Sequence, residues 1–104
     1  MTTIYIDAQQ SRETRHLVQS AIEGEIGRLE LALTSARRRL LPFETKYNVS
    51  SEQFISTMSA EDLEGQDDEY VQWAGEYRLW QRLQEKLKQL REIEYRDSSL
   101  LRPN

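Results

Sequence analysis

One histidine and one glutamate near the start of the chain have the residue types and spacing that suit metal binding. His16, the sole histidine, follows Glu13 by three residues, and Glu-x-x-His pairs contribute to di-metal sites in ferritin-like helical bundles. Such sites also need glutamates that project inward from other helices, whereas the second long helix of this chain carries aromatic residues and leucines. We interpret the pair as an exposed ion pair and expect neither a metal nor another cofactor.

Acidic residues are plentiful, but their arrangement does not favour catalysis. Acid–base work needs a carboxyl group in a pocket that shifts its pKa, and the acidic stretch 64–69 predicts a solvated loop and helix cap. The chain contains no G-x-S-x-G sequence, no phosphate-binding loop and no cysteine, so it offers no motif for a defined nucleophile. We predict that the protein is not an enzyme.

The charge distribution favours a protein partner over nucleic acid. Residues 37–39 are three consecutive arginines, but neighbouring positions on a helix point about 100° apart and do not form one basic stripe. The chain carries 14 basic and 18 acidic residues, a net charge of −4, which would attract a basic protein more than a phosphate backbone. No apolar run reaches the ~18 residues of a membrane span, and we expect a cytoplasmic protein.

Four aromatic residues recur at helical spacing in the second half of the chain, among acidic neighbours. The aromatic residues are Tyr70, Trp73, Tyr77 and Trp80. The acidic neighbours are Asp67, Asp68, Glu69 and Glu76. Helically spaced aromatic residues commonly pack in a core, but Trp and Tyr also dominate the energetics of protein interfaces. Both interpretations hold if a partner completes the core, and we predict that these eight residues form a partner-binding surface.

The first long helix is predicted over residues 11–47, with Ser11 as its N-cap. Its apolar residues advance in alternating steps of four and three, which is typical of a heptad seam. They are Ile22, Ile26, Leu29, Leu33, Ala36, Leu40, Phe43 and Tyr47. Pro42 interrupts the helix and predicts a kink or a restart. Asn48 ends it, because Asn tolerates the left-handed conformation.

The second long helix is predicted over residues 67–96, capped by Asp67 or Asp68. The aromatic residues lie in its first half, and regularly spaced leucines, the leucine ladder, lie in its second half. The ladder consists of Leu83, Leu87, Leu90 and Ile93. Two helices of this length, joined by a short linking helix, predict an antiparallel hairpin.

The remaining segments are short. A linking helix is predicted over residues 50–59, with Ser50 as N-cap and Gln53 three residues on. Residues 1–10 form an N-terminal arm in which Thr2–Asp7 either alternate like a β-strand or form a frayed terminus, and a strand there would need to pair with another chain. Residues 97–104 lack periodicity and predict a flexible tail.

These elements predict a single all-α domain over residues 1–104, a coiled-coil-like hairpin. A two-helix hairpin buries one face of each helix, so we expect a helical bundle, formed as a homodimer or higher oligomer or with a permanent partner. Gly24 and Gly27 lie inside the first helix, where each costs roughly 1 kcal/mol relative to Ala. These glycines either allow the backbone of another helix to approach closely or mark a weak point in the first helix. The predicted seam residues are Ile22, Ile26, Leu29, Leu33, Leu40, Phe43, Leu83, Leu87 and Leu90.

Two segments of the chain carry extended sequence motifs. Leu41–Phe54 contains L-x-F-E-x-K-Y-x-x-S-S-E-x-F, and Asp67–Tyr77 contains D-D-E-Y-x-x-W-A-G-E-Y. These motifs resemble those of a family of small helical prokaryotic proteins found in putative toxin–antitoxin operons. Glu23–Leu33 matches the family's E-x-x-I-x-R-L-E-x-x-L helix in looser form. The chain departs from the family at Asn48, where members usually carry Gly, and at Pro42.

The resemblance implies an antitoxin that neutralises a nuclease-like toxin by covering its active surface. The acidic balance of the chain fits a basic toxin. The sequence contains no helix-turn-helix signature, so we do not expect the chain to bind an operator itself. The alternative is a structural coiled-coil adaptor or homo-oligomeric scaffold without a toxin partner. An accessible apolar or aromatic patch on the isolated protein favours partner binding, whereas a fully buried homodimer favours the adaptor.

Overall fold

Helices account for 91% of the residues that the structure describes. In this computed structural model the backbone is described for residues 8–101 and the side chains for residues 11–96. The elements are α1 (Ala8–Tyr47), α2 (Ser51–Thr57), a 3-10 turn (Ala60–Asp62) and α3 (Gln66–Leu101). Helix α1 packs against α3 as a hairpin, which confirms the predicted all-α fold. The predicted N-terminal strand, Thr2–Asp7, lies outside the described residues.

Ion pairs along the hairpin show that α1 and α3 run antiparallel. Arg39 pairs with Glu76 at 2.7 Å, close to the loop end. Farther from the loop, Glu30 pairs with Arg91 at 3.1 Å. Away from the loop, residue numbers fall along α1 while they rise along α3, so the two helices are antiparallel and lie side by side over most of their length. The 36 residues of α3 span about 54 Å.

Helix α1 begins earlier and ends as predicted. It starts at Ala8, so Ser11 lies inside the helix and is not its N-cap. It continues through Pro42 without a restart. Asn48 adopts a left-handed φ of 54°, and the N–H of Val49 donates to the carbonyl of Glu44 at 3.3 Å. This six-to-one hydrogen bond is the Schellman pattern of helix termination.

The two later helices differ from the prediction mainly at their ends. In α2, which is shorter than the predicted 50–59, Ser50 Oγ accepts the Gln53 N–H at 3.1 Å as expected of an N-cap. Helix α3 begins at Gln66, whose φ is 48°, so the predicted caps Asp67 and Asp68 instead lie within its first turn. It continues to Leu101, so residues 97–101 extend the helix and are not the predicted flexible tail.

The apolar residues form two core clusters along the hairpin. Around the loop end, where α2 and the 3-10 turn cover the hairpin, the buried residues are Leu40, Phe54, Leu63, Trp73, Ala74 and Tyr77. Along the middle of the hairpin, where only α1 and α3 meet, they are Ile26, Leu29 and Leu87. The core is therefore thick at the loop end and thin along the rest of the two-helix shaft.

Candidate protein–protein interface

Trp73 is completely buried in the loop-end core. Its indole stacks on the ring of Phe54, with 3.8 Å between centroids and 3° between planes. The rings of Phe43 and Tyr47 lie 5.4 Å and 5.7 Å away, also stacked. In this conformation Trp73 presents no surface to a partner, because α2 folds back over the hairpin and places Phe54 against its ring; its predicted role as an anchor for a partner remains a prediction.

A polar network fixes the position of Trp73. Its Nε1 donates to Ser51 Oγ at 2.9 Å, and the Ser51 hydroxyl and N–H both donate to Glu44 Oε2 at 2.8 Å. Arg37 pairs with the other Glu44 oxygen at 2.8 Å. Burial raises the pKa of Glu44, but hydrogen bonds from Arg37 and Ser51 outweigh it and hold that pKa below 4.5. The network satisfies the only polar donor of the buried indole.

The other predicted aromatic anchors border the same core. Tyr77 is buried and stacks on Trp80 at 5.7 Å, while Tyr70 meets Phe54 edge-on at 5.1 Å. Burial raises the pKa of the Tyr77 hydroxyl. Tyr70 and Trp80 keep partial exposure, so the predicted aromatic stripe is mainly internal packing.

Two of the four acidic residues predicted to surround the stripe are held by α1. Glu69 accepts from Lys46 at 3.1 Å, and Glu76 pairs with Arg39 at 2.7 Å. These pairs join α3 to α1 within the chain. The two whose side chains remain exposed are Asp67 and Asp68.

The predicted oligomer seam is largely the contact between α1 and α3. Its buried members are Ile26, Leu29, Leu40 and Leu87. Its partly buried members are Ile22, Leu33, Phe43, Leu83 and Leu90. The heptad pattern therefore serves the hairpin first, and the accessible surface of the partly buried members is left for other contacts.

Two ion pairs mark the two sides of this seam. Glu25 lies 3.9 Å from Lys86, and Glu30 lies 3.1 Å from Arg91. In each helix the two charged residues are five positions apart, which corresponds to about 140° around the axis. The pairs therefore lie on opposite flanks of the contact between α1 and α3.

Apolar residues gather on the flank marked by Glu25 and Lys86. Each lies three, four or seven residues before or after Glu25 or Lys86, which places them on the same side of each helix. The α1 members are Val18, Ile22 and Ala32, and the α3 members are Leu79, Leu83, Leu90 and Ile93. We call this surface, with Glu25 and Lys86 at its centre, the open face. Val18 and Ile93 are each 49% exposed and Leu79 is 39% exposed.

The predicted seam does not include the open face, although the sequence contains a signal for it. On α3 a second apolar series runs beside the seam in steps of four, seven and three, with Lys86 inside the step of seven, and it shares Leu83 and Leu90 with the seam. A helix with two adjacent apolar series has an apolar stripe wider than one neighbour covers. The heptad pattern alone predicts a single seam for these leucines.

The opposite flank is partly covered. There α2 packs near the loop end, where Ser51 binds Glu44. Beyond α2 a groove of about 1090 Å³ runs between the helices, and Leu33, Leu87 and Tyr95 line it among charged and amide side chains. This flank is more polar than the open face.

The other residues singled out for chemistry do not converge. Glu13 and His16 are exposed, and the described residues contain no group of three or more His, Cys, Asp or Glu side chains able to hold a metal ion. Arg37 and Arg39 pair with carboxylates of different elements. No helix within the described part of the chain is long and apolar enough to cross a membrane.

Comparison with known proteins identifies no relative: no protein-family model, no curated protein and no solved structure matches the chain.

Proposed function

We propose that this chain is a helical protein–protein interaction module that binds through its open face. The observation that carries the proposal is the apolar surface beside the Glu25–Lys86 pair, which the hairpin's own core leaves accessible. Contiguous exposed apolar surface on a small protein commonly marks a protein-binding site. Its heptad spacing on both helices fits a partner that also presents helices.

The finer proposal is an antitoxin, with a basic nuclease-like toxin as partner. It is supported by the resemblance over Leu41–Phe54 and Asp67–Tyr77 and by the net charge of −4. The loop end adds a local negative field for such a partner. Its exposed acidic residues are Glu61, Asp62, Glu64, Asp67 and Asp68.

The structure changes how the resemblance supports this proposal. Several residues of the two matching segments, including Phe43, Ser51, Phe54 and Trp73, build the loop-end core. The resemblance at these positions therefore concerns residues that pack the core of this chain. Specificity for a toxin would come from exposed residues such as Asp67.

Co-expression with the product of the neighbouring gene tests both levels of the proposal. An interaction module forms a stable complex that copurifies, and an antitoxin also restores growth to cells that express a toxic neighbour. For the finer proposal, in which the acidic loop end also contacts the toxin, Asp67→Lys with Asp68→Lys should weaken binding to a basic partner at least tenfold. Glu23→Lys, which changes an exposed charge on α1 far from the loop end, should bind like the wild type. A neighbour that is not toxic would refute the antitoxin role.

A further inference from the structure

We propose that the open face binds a second copy of this chain, with the loop ends of both hairpins at the same end of a four-helix bundle. This inference rests on the proposed function and names its first partner. In this arrangement α1 of each copy packs on α3 of the other, and all neighbouring helices run antiparallel. Charge and side-chain size on the open face both favour it.

The charges at the centre of the open face are self-complementary. Glu25 and Lys86 lie side by side, 3.9 Å apart, on different helices. A twofold axis parallel to the helices places Glu25 of one copy opposite Lys86 of the second copy, and the reverse. The contact is isologous, so it forms twice. If the loop ends lay at opposite ends, with the axis at the level of this pair, Glu25 would face Glu25 and Lys86 would face Lys86.

Side-chain sizes lead to the same orientation. On α1, Ala32 lies between Glu25 and Arg39. The ion-pair partners of these two residues on α3 are Lys86 and Glu76. The larger Leu79 and Leu83 lie between those partners. The small and large residues are therefore at the same level of the hairpin. When α1 of a second copy packs on α3, the leucines of one copy meet Ala32 of the other. Alternating large and small residues across facing helices allows them to interdigitate.

The open face also has a clear boundary. The Arg39–Glu76 and Lys46–Glu69 ion pairs join the two helices nearer the loop. The apolar surface thus coincides with the part of the hairpin where the core is only two helices thick. A second hairpin there would complete the core of the shaft without displacing α2.

Sedimentation of the protein alone tests the dimer. We expect a reversible dimer, weakened at least tenfold by Ile93→Glu, because this side chain is 49% exposed in the monomer and becomes buried in the dimer. Leu31→Glu is the matched control, since Leu31 is 73% exposed on α1 and lies outside the open face. A wild-type monomer at all concentrations, or equal effects of the two variants, would overturn the inference.

The orientation is tested by a distance across the dimer. The chain has no cysteine, so a spin label can be attached at a single Glu61→Cys position in the exposed loop. Loop ends on the same side give label separations on the order of 25 Å, from neighbouring axes 8–10 Å apart. Opposite loop ends give about 50 Å, the length of the helices, and would overturn the proposed orientation. A monomer that still binds the neighbouring gene product would end this inference and leave the proposed function intact.

Discussion

The indole Nε1 of Trp73 donates a 2.9 Å hydrogen bond to Ser51 Oγ, and both residues are buried. Ser51 in turn donates to Glu44, so one serine of α2 connects α3 to α1. This connection explains why a seven-residue helix holds a fixed position on the hairpin. The stacking of Phe54 on Trp73 and the hydrogen bonds of Ser51 hold α2 at the same place.

Ser51→Ala should destabilise the fold by about 1–3 kcal/mol, because it leaves the buried indole N–H without a partner. Trp73→Ala should cost about 3–5 kcal/mol by opening a cavity beside Phe54. Urea denaturation measures both values. The double variant should cost less than the sum, since the two residues share one hydrogen bond. A Trp73→Ala protein with wild-type stability would contradict the assignment of this residue to the core.

Acid should destabilise the protein in part through Glu44. The pKa of this carboxyl is held below 4.5 in the folded state, so its contribution is present above pH 4.5 and is lost as the pH falls through the lower folded value. Glu44→Gln should therefore flatten the fall in unfolding free energy below pH 4.5. Denaturant titrations at several pH values measure this slope. Glu23→Gln, at an exposed position, is the control and should leave the slope unchanged.

Gly24→Ala and Gly27→Ala should each stabilise the protein by roughly 1 kcal/mol, because Ala is the better helix former. An added Cβ at Gly24 would come no closer than 3.7 Å to another atom, and one at Gly27 would meet nothing within 4 Å. Thermal denaturation checks the gain. A loss of stability or of self-association would show that another backbone approaches these glycines, the other role that the sequence allowed.

Gln66→Gly should stabilise the start of α3 by up to about 1 kcal/mol. Gln66 has a φ of 48°, which is unfavourable for a residue with a Cβ. The same change at Asn48, whose φ is 54°, should have a smaller effect because Asn tolerates this conformation. Equal gains at both positions in chemical denaturation would argue against strain at Gln66.

Local patterns were sufficient to predict the helices and several of their ends. The steps of four and three residues predict two long amphipathic helices, and the short connection between them predicts the hairpin. Asn48 and Ser50 act as predicted because termination and capping depend on backbone groups a few residues away. The predicted caps of α3 were wrong because Gly65 and Glu69 satisfy that end differently, with the Gly65 N–H donating to Glu69 at 2.8 Å.

The periodicity of the chain specifies which side chains must face a neighbour, whereas the packing of the helices specifies which neighbour each one faces. Helical spacing placed Trp73 on an apolar stripe, but only the return of α2 brought Phe54 onto its ring and removed it from the surface. Likewise, Leu83 and Leu90 belong to two overlapping apolar series. Only the packing of α1 against α3 showed which side of these leucines remains accessible. Periodicity reports direction around one helix axis, whereas burial depends on contacts between segments far apart in the chain.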